Sequence, residues 1–435
     1  MNEVQVGIAG IGVLMFLIAL RVPIGIALIS VSFVGIWLIM GWNIAWSSLS
    51  NIPYNFASSW TLSSIPMFLL LGFVCYHTQL TQGMFRAARM WLSSLPGGLA
   101  IASVFGSAGF AAVSGSSVAC SAAMGRIAIP EMIKYKYNPE LATGTVAVAG
   151  TIGALIPPSI IMILYGIIAQ VPISNLFLGG ITAGLITMIG YIAVIVIRVK
   201  INPELAPDTN EKIPTSEKIL ALKDTWPIFV IMIGIFGGLF SGVFTPTEAG
   251  AVGTFLACIV ALIKKTMTWK NFQIAILETL VTTCALLIIA VGASLLTRFL
   301  ALSGAGNYIS DMVIGTDATP IIIILGIVFI YLLLGMFLEP IGAMLLTLPI
   351  VLPIIGATDY SLIWFGVLLT KLLEIGMITP PIGMNVFVIK GVVNNLVTTT
   401  QIFKGIMWFL LMDLALVAIF IAYPQILTIL PDMAS

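Results

Sequence analysis

Two short stretches contain the residues whose backbone could bind an ion. IGALIPPSI begins at Ile152, and IGMITPPIG begins at Ile375. Proline lacks a backbone N–H and clashes with the preceding helical turn, so a helix is expected to break at each Pro-Pro pair. The carbonyl oxygens freed by such a break are ligands for a hard cation. Together with Ser or Thr hydroxyls they suit Na⁺, and no carboxylate is required.

A constant offset relates the two stretches. Position 380 minus position 157 gives 223, and the same shift superposes Pro130 on Pro353 and Tyr137 on Tyr360. Pro-Pro occurs nowhere else in the chain. Corresponding interruptions in two halves of a membrane chain indicate an internal duplication, with a transport site at the breaks. Two unrelated proline kinks are the alternative interpretation.

The offset also pairs a polar segment with a carboxylate. Residues 97–132 are apolar but rich in Gly, Ala and Ser, and the run from Ser114 to Ser117 weakens a helix. We interpret this region as a re-entrant hairpin with its tip in that run; a small-residue packing face is the alternative. Ser116 corresponds to Glu339 (116 + 223 = 339). An ionisable residue at membrane depth marks a functional site, or else it caps a half-helix.

Other ionisable residues give weaker signals. Lys371 and Glu374 are spaced i, i+3 before the second break, so we expect them to pair on one helix face. Four other isolated charges stand in weaker context, and most of them are expected at the membrane interface: Glu248, Arg298, Asp311 and Asp413. His77 is the only histidine, which excludes a His-clustered metal site. The four cysteines form no CxxC pair and are expected to be small buried hydrophobes; they are Cys75, Cys120, Cys258 and Cys284.

Composition sets the class of protein that must position these residues. The chain has 435 residues, of which 60% are hydrophobic and 8% charged, whereas soluble domains carry roughly 25% charged residues. Apolar runs of about 20 residues, enough to span a bilayer, recur from end to end. A soluble enzyme with one anchor is excluded, and no basic patch suggests nucleic acid.

The order of segments predicts an all-α polytopic membrane protein in two halves. Residues 1–197 form a first repeat, 198–224 a polar cytoplasmic linker and 225–435 a second repeat, with a transport core at approximately 97–170 and 320–395. Arg21 follows the first span, so the positive-inside rule predicts a periplasmic N-terminus. With a cytoplasmic linker the first half crosses an odd number of times, which makes the repeat inverted.

Three long motifs carry a resemblance to a known family. They are SGSSVACSAAMGRIAIPEMIKYKYNPELATGTVAVAGTIGALIPPSIIMILYG, GMFLEPIGAMLLTLPIVLPI and EIGMITPPIGMNVFVIKG. The chain resembles the DctM-like large membrane subunit of TRAP transporters (tripartite ATP-independent periplasmic transporters) over essentially its whole length.

The resemblance implies a fold and a mechanism. It implies an elevator fold of the ion-transporter superfamily, with two re-entrant hairpins, two Pro-Pro broken helices and a surrounding scaffold. Uptake would be driven by Na⁺, and a periplasmic binding protein would deliver an organic acid such as a C4-dicarboxylate or sialic acid. A small four-helix membrane subunit, as a separate chain, would brace the scaffold in the bacterial inner membrane.

The resemblance also assigns site residues. The first Na⁺ site would use Ser114, Ser117, Gly153, Ile156 and Pro157. The second would use Gly335, Gly376, Thr379 and Ile382. The substrate would lie near Ser116, Glu339, Pro158 and Pro381.

Two other function classes stay open from the residues alone. The first is a transporter of another coupling type, driven by protons or by a separate ATPase. Few intramembrane carboxylates are available for a proton relay. A membrane-embedded enzyme with a Ser116–His77 dyad is the other, and neither a GxSxG nor an HExxH motif supports it.

Overall fold

The computed structural model describes residues 2–207, 214–315, 319–393 and 396–434, and within these ranges the regular structure is entirely helical. The helices before the first hairpin are α1 (Glu3–Ala19), α2 (Ile24–Met40), α3 (Trp42–Ala57), α4 (Ser64–His77) and α5 (Gln82–Leu92). The first hairpin and broken helix comprise α6 (Gly98–Ser114), α7 (Ser117–Lys134), α8 (Pro139–Thr151) and α9 (Ile160–Ala169).

The middle of the chain contains α10 (Ile173–Ile201), α11 (Thr215–Lys223), α12 (Trp226–Phe240), α13 (Pro246–Ile263), α14 (Trp269–Ser303) and α15 (Ala305–Ile314). The second hairpin and broken helix comprise α16 (Pro320–Gly335), α17 (Pro340–Gly356), α18 (Leu362–Gly376) and α19 (Met384–Val393). The chain ends with α20 (Thr399–Ala422) and α21 (Gln425–Ala434).

Several helices can cross a membrane. Among the described residues, five helices are long and apolar enough by themselves, and a sixth span is possible if the bent pair α11–α12 counts as one. Shorter apolar helices include α6, α9, α16, α17 and α19, which belong to the hairpins and broken helices. The prediction of an all-α polytopic membrane protein is therefore confirmed.

The offset seen in the sequence recurs in the helix bounds. Adding 223 to the bounds of α6, α7, α8 and α9 gives 321–337, 340–357, 362–374 and 383–392, against observed bounds of 320–335, 340–356, 362–376 and 384–393. No bound differs by more than two residues. Each half therefore has two helices joined at a tip, then two helices joined at a Pro-Pro turn.

The predicted linker is partly helical. Its first residues complete α10, and a later part forms α11, which packs on α5. Two contacts join α5 to the linker: Arg86 pairs with Asp224 at 3.2 Å, and the Trp91 indole N–H donates to the carbonyl of Lys218 at 3.1 Å. Three charged residues of the predicted linker, Asp208, Glu211 and Lys212, lie outside the described residues.

The long helix α14 packs closely against α1 and α2. A Cβ built on Gly10 of α1 would lie 2.6 Å from the Phe299 ring, and one on Gly35 of α2 would collide with the same ring. A Cβ on Gly25 of α2 would lie 2.7 Å from Ile288 Cγ2. Small residues thus let the three helices approach to direct contact.

The core hairpins pack against later helices. The first hairpin contacts α8 and α19, and α8 contacts α20, where Gly144 faces Gly405. A Cβ on Gly144 would lie 2.5 Å from the carbonyl carbon of Gly405 and 2.8 Å from its Cα. Because the opposing atoms are backbone, they cannot rotate away.

The Gly144–Gly405 contact makes a prediction about stability. Gly144→Ala should cost about 1–3 kcal/mol through overpacking, seen as a lower melting temperature in detergent. Gly326→Ala on α16 is the matched control, because a Cβ there meets nothing within 4 Å. Equal melting temperatures for the two variants would contradict the close α8–α20 contact.

Candidate functional site

The first hairpin tip lies directly on the first Pro-Pro turn. Helix α6 ends at Ser114, Gly115 adopts a left-handed conformation (φ 63°), and α7 begins at Ser117. A Cβ on Gly115 would collide with the Pro158 carbonyl oxygen, and one on Gly153 would lie 2.9 Å from the Ser116 carbonyl oxygen. The tip therefore falls within the segment that the sequence predicted, and its backbone contacts the break.

These contacts bring most residues of the predicted first Na⁺ site together. Ser114 and Ser117 are buried on either side of Ser116, whose carbonyl faces Gly153, and Pro157 follows the short 3₁₀ helix Ile152–Ala154. The Ser114 hydroxyl has no hydrogen-bond partner among the described residues. Ile156 packs its side chain towards α10, where a Cβ on Gly184 would lie 2.6 Å from it; only its backbone is placed to contribute here.

The second hairpin approaches the second break through glycines. A Cβ on Gly335 would lie 3.0 Å from the Gly376 Cα, and one on Gly376 would lie 2.5 Å from the Gly335 Cα. The Thr379 hydroxyl donates to the Ile375 carbonyl at 2.6 Å, which leaves its oxygen lone pairs available. Three residues of the predicted second site thus lie together. Ile382 is 40% exposed, and these contacts do not include it.

The two Pro-Pro turns differ in burial. Pro157 and Pro158 are buried beneath the first tip, whereas Pro381 is exposed. Both Pro-Pro peptide bonds are cis. The second turn therefore presents more of its backbone at the surface of this chain than the first.

One small cavity connects the two hairpin tips. It has a volume of about 120 Å³, and its lining includes Ser116 and Ser117 from the first hairpin and Glu339 from the second. A neighbouring cavity of about 380 Å³ shares Ser116 and Glu339 and extends to Tyr76 on α4 and Thr282 on α14. The structure thus joins Ser116 and Glu339, two of the four predicted substrate residues. Pro158 reaches the tip through Gly115, and Pro381 lines neither cavity.

Glu339 occupies the N-terminus of α17. It is the residue before Pro340, and a Cβ on Gly342 would lie 3.6 Å from its Oε2 atom. The positive end of a helix dipole stabilises a carboxylate in this position. Both sequence interpretations, a capped half-helix and a site residue, are compatible with this placement.

A buried ion pair joins α18 to α20. The Lys371 ammonium donates to Asp413 Oδ1 at 2.6 Å, and the Tyr191 hydroxyl donates to Asp413 Oδ2 at 2.9 Å. Thr151, the last residue of α8, lies 3.0 Å from the Tyr191 oxygen. All four residues are fully buried. The network therefore connects α8, α10, α18 and α20 just below the first break.

Glu374 makes a different contact. Its Oε1 accepts a hydrogen bond from the Ser117 hydroxyl at 3.1 Å, and its Oε2 has no partner among the described residues. The expected Lys371–Glu374 pair is therefore wrong, because Lys371 reaches across to α20. The expectation of an interfacial Asp413 is also wrong, since its exposure is 0%.

Sequence reasoning missed how this network is assembled. Asp413 and Tyr191 stand alone in apolar helices, and nothing in their spacing connects them to Lys371. An ionisable residue inside an apolar span is by itself a signal of function, and applying that rule to Asp413 would have found it.

His77 and the cysteines have surroundings other than a catalytic dyad or a metal cluster. His77 Nε2 contacts Glu278 at 2.8 Å, and no hydrogen bond joins His77 to Ser116 among the described residues. The described residues include no cluster of three metal-binding side chains. Cys75 and Cys120 are buried as expected. The expectation is wrong for Cys284, which is exposed, and Cys258 is half-buried.

Fold and site together define a polytopic helical membrane protein whose two helix breaks meet two hairpin tips. Residues 11–426 match the family model of the "Tripartite ATP-independent periplasmic transporter, DctM component". The chain belongs to this family, and the resemblance found in the sequence is confirmed.

Two named relatives align with this chain over most of their own length. The chain is 32% identical over 426 residues to the C4-dicarboxylate TRAP transporter large permease protein DctM of Vibrio cholerae, covering 91% of this chain and 92% of that protein. It is 28% identical over 414 residues to the sialic acid TRAP transporter large permease protein SiaM of the same species, covering 94% and 95%. Both are named as permeases, not as enzymes.

A solved structure has a similar fold. The crystal structure of the Alcanivorax borkumensis YdaH transporter superposes with a TM-score of 0.63 at 13% identity, covering 88% of this chain and 89% of that one. At this identity the likeness concerns the fold alone.

The buried ion pair makes a prediction. Lys371→Met leaves Asp413 buried without its cation and should destabilise the protein by about 3–5 kcal/mol. The double variant Lys371→Met/Asp413→Asn removes both charges and keeps an acceptor for Tyr191, so it should recover much of the loss. Thermal unfolding in detergent measures both. A double variant no more stable than the single one would contradict mutual compensation.

Proposed function

We propose that this chain is the large membrane subunit of a Na⁺-coupled secondary transporter that imports a small organic acid. The observation that carries this is the meeting of two hairpin tips and two helix breaks around a cavity lined by Ser116 and Glu339. The carboxylic acids in the names of the relatives support this substrate class.

Sodium coupling is supported by the kinds of atoms at the breaks. Backbone carbonyls and the hydroxyls of Ser114, Ser117 and Thr379 are hard oxygen donors, which suit Na⁺. Two sites follow, one at each break. The unpartnered buried Ser114 hydroxyl supports the first, and the Gly335–Gly376 contact, which brings a tip to a break, supports the second.

The substrate would bind between the tips. The cavity of about 380 Å³ extends from Ser116 and Glu339 to Tyr76 and Thr282, so it offers space beside both breaks. Irregular backbone at membrane depth needs protein or water around it. The exposed Pro381 turn would therefore face an aqueous cavity.

The remaining assignments complete the proposal. The halves 1–197 and 225–435 form an inverted repeat, and their cores, at approximately 97–170 and 320–395, move as an elevator against the scaffold. The matching helix bounds support the duplication. A periplasmic binding protein and a small four-helix membrane subunit are the partners, in the bacterial inner membrane with the N-terminus periplasmic.

The first test needs no substrate. The purified chain should melt at a higher temperature in NaCl than in KCl or choline chloride of equal ionic strength, because a ligand that binds only the folded state stabilises it. Ser117→Ala and Thr379→Val should each reduce the Na⁺-specific shift. Ser241→Ala is the control, because this exposed hydroxyl bonds only within its own turn. Identical melting in all three salts would count against Na⁺ sites preformed in this chain.

Transport provides the second test. With both partners reconstituted in vesicles, uptake of the organic acid should require an inward Na⁺ gradient. Uptake in Na⁺-free buffer driven by a pH gradient alone would establish proton coupling instead.

A further inference from the structure

Glu374 stands out as a buried carboxylate that forms no ion pair with a cationic side chain among the described residues. Lys371, one turn earlier on α18, is bound to Asp413 at 2.6 Å, and the second Asp413 oxygen is occupied by Tyr191. If Lys371, Asp413 and Glu374 are all ionised, their charges sum to −1 (1 − 2 = −1), and all three side chains are fully buried. A net buried charge is costly unless a counter-charge lies nearby.

The N-terminus of α7 compensates only part of this charge. Ser117 is its first residue, and a helix N-terminus carries roughly half a positive charge. The same partial charge would oppose a cation bound at Ser117. A site made only of hydroxyls and carbonyls at this position therefore lacks a negative partner, and Glu374 is placed to supply one.

The hydrogen bond also sets the direction of the Ser117 hydroxyl. A serine has one O–H donor and two acceptor lone pairs. Because the donor is directed to Glu374 Oε1, only lone pairs of Ser117 remain for anything bound at the tip. The free Oε2 of Glu374 is buried, and Glu374 and Ser117 line the same cavity of about 120 Å³.

We propose that Glu374, from the second half, is the counter-charge and positioning residue of the first-half cation site. Building on the Na⁺ coupling proposed above, it holds the Ser117 hydroxyl with its lone pairs towards the cation and neutralises the bound charge through its unpartnered oxygen. A monovalent hard cation fits because it brings the cluster to neutrality.

The test is the melting temperature of the full chain as Na⁺ replaces choline at constant ionic strength. Glu374→Gln keeps the size and an acceptor for Ser117 but removes the charge. It should raise the Na⁺ concentration for half-maximal stabilisation by roughly tenfold or more. In pure choline chloride it should melt no lower than wild type, because the uncompensated charge is gone. In saturating Na⁺ it should melt lower than wild type.

Matched variants separate this role from a structural one. Glu131→Gln makes the same substitution on α7, the helix that Ser117 begins, at an ion pair with Arg89. It should shift melting equally in both salts and leave the Na⁺ midpoint unchanged. Ser117→Ala combined with Glu374→Gln should cost less Na⁺ affinity than the sum of the single variants, since both act on one interaction. If Glu374→Gln does not fold, Glu374→Asp, which keeps the charge, should retain the Na⁺ dependence that Ser117→Ala weakens.

The outcomes distinguish the two proposals. Na⁺ stabilisation of wild type with an unchanged midpoint in Glu374→Gln would overturn the role of Glu374 and leave Na⁺ coupling intact. An equal loss of stability in both salts would also overturn it, because that is the signature of a structural contact. Wild type that does not respond to Na⁺ would overturn both.

Discussion

A helix interrupted at membrane depth must find protein partners for its free N–H and C=O groups, and this requirement organises the centre of the molecule. The chain meets it by placing each hairpin tip against the break of its own half. Glycines make the approach possible, since a side chain at Gly115 or Gly153 would strike the opposing backbone. A tip and its break are therefore one structural unit, and a ligand bound there contacts both.

The two halves have matching helix bounds but different residues at the matching positions. Helix bounds agree within two residues after the shift of 223, yet the equivalent tip positions hold Ser116 and Glu339. Charge is also distributed unevenly. The buried residues Lys371 and Glu374 both lie on α18 in the second half, and Glu374 reaches back to Ser117 in the first. The matched helix bounds thus place equivalent elements in the two halves, while the buried charged residues at the site come mainly from the second half.

The sequence predicted those features that depend on local chemistry. Pro-Pro pairs break helices wherever they occur, and the Gly-Ser run from Ser114 to Ser117 weakens a helix by itself, so both breaks and the first tip were predictable. The Lys371–Glu374 pair was not, because an i, i+3 spacing is only a local preference. Lys371 instead forms a 2.6 Å ion pair, fully buried, with Asp413 on α20, more than forty residues away. Which of several buried polar residues meet depends on helix packing, for which neither periodicity nor composition provides a rule.

The contact of α1 and α2 with α14 has a mechanical consequence. Gly10 of α1 and Gly35 of α2 both pack against the Phe299 ring of α14. Gly25 of α2 packs against Ile288 of the same helix. Sliding one helix by a single residue, about 1.5 Å, would drive these side chains into neighbouring Cβ atoms or backbone. The contact therefore allows the three helices to move together as one body but prevents them from sliding past one another. Any large displacement within this chain must therefore occur along a different boundary.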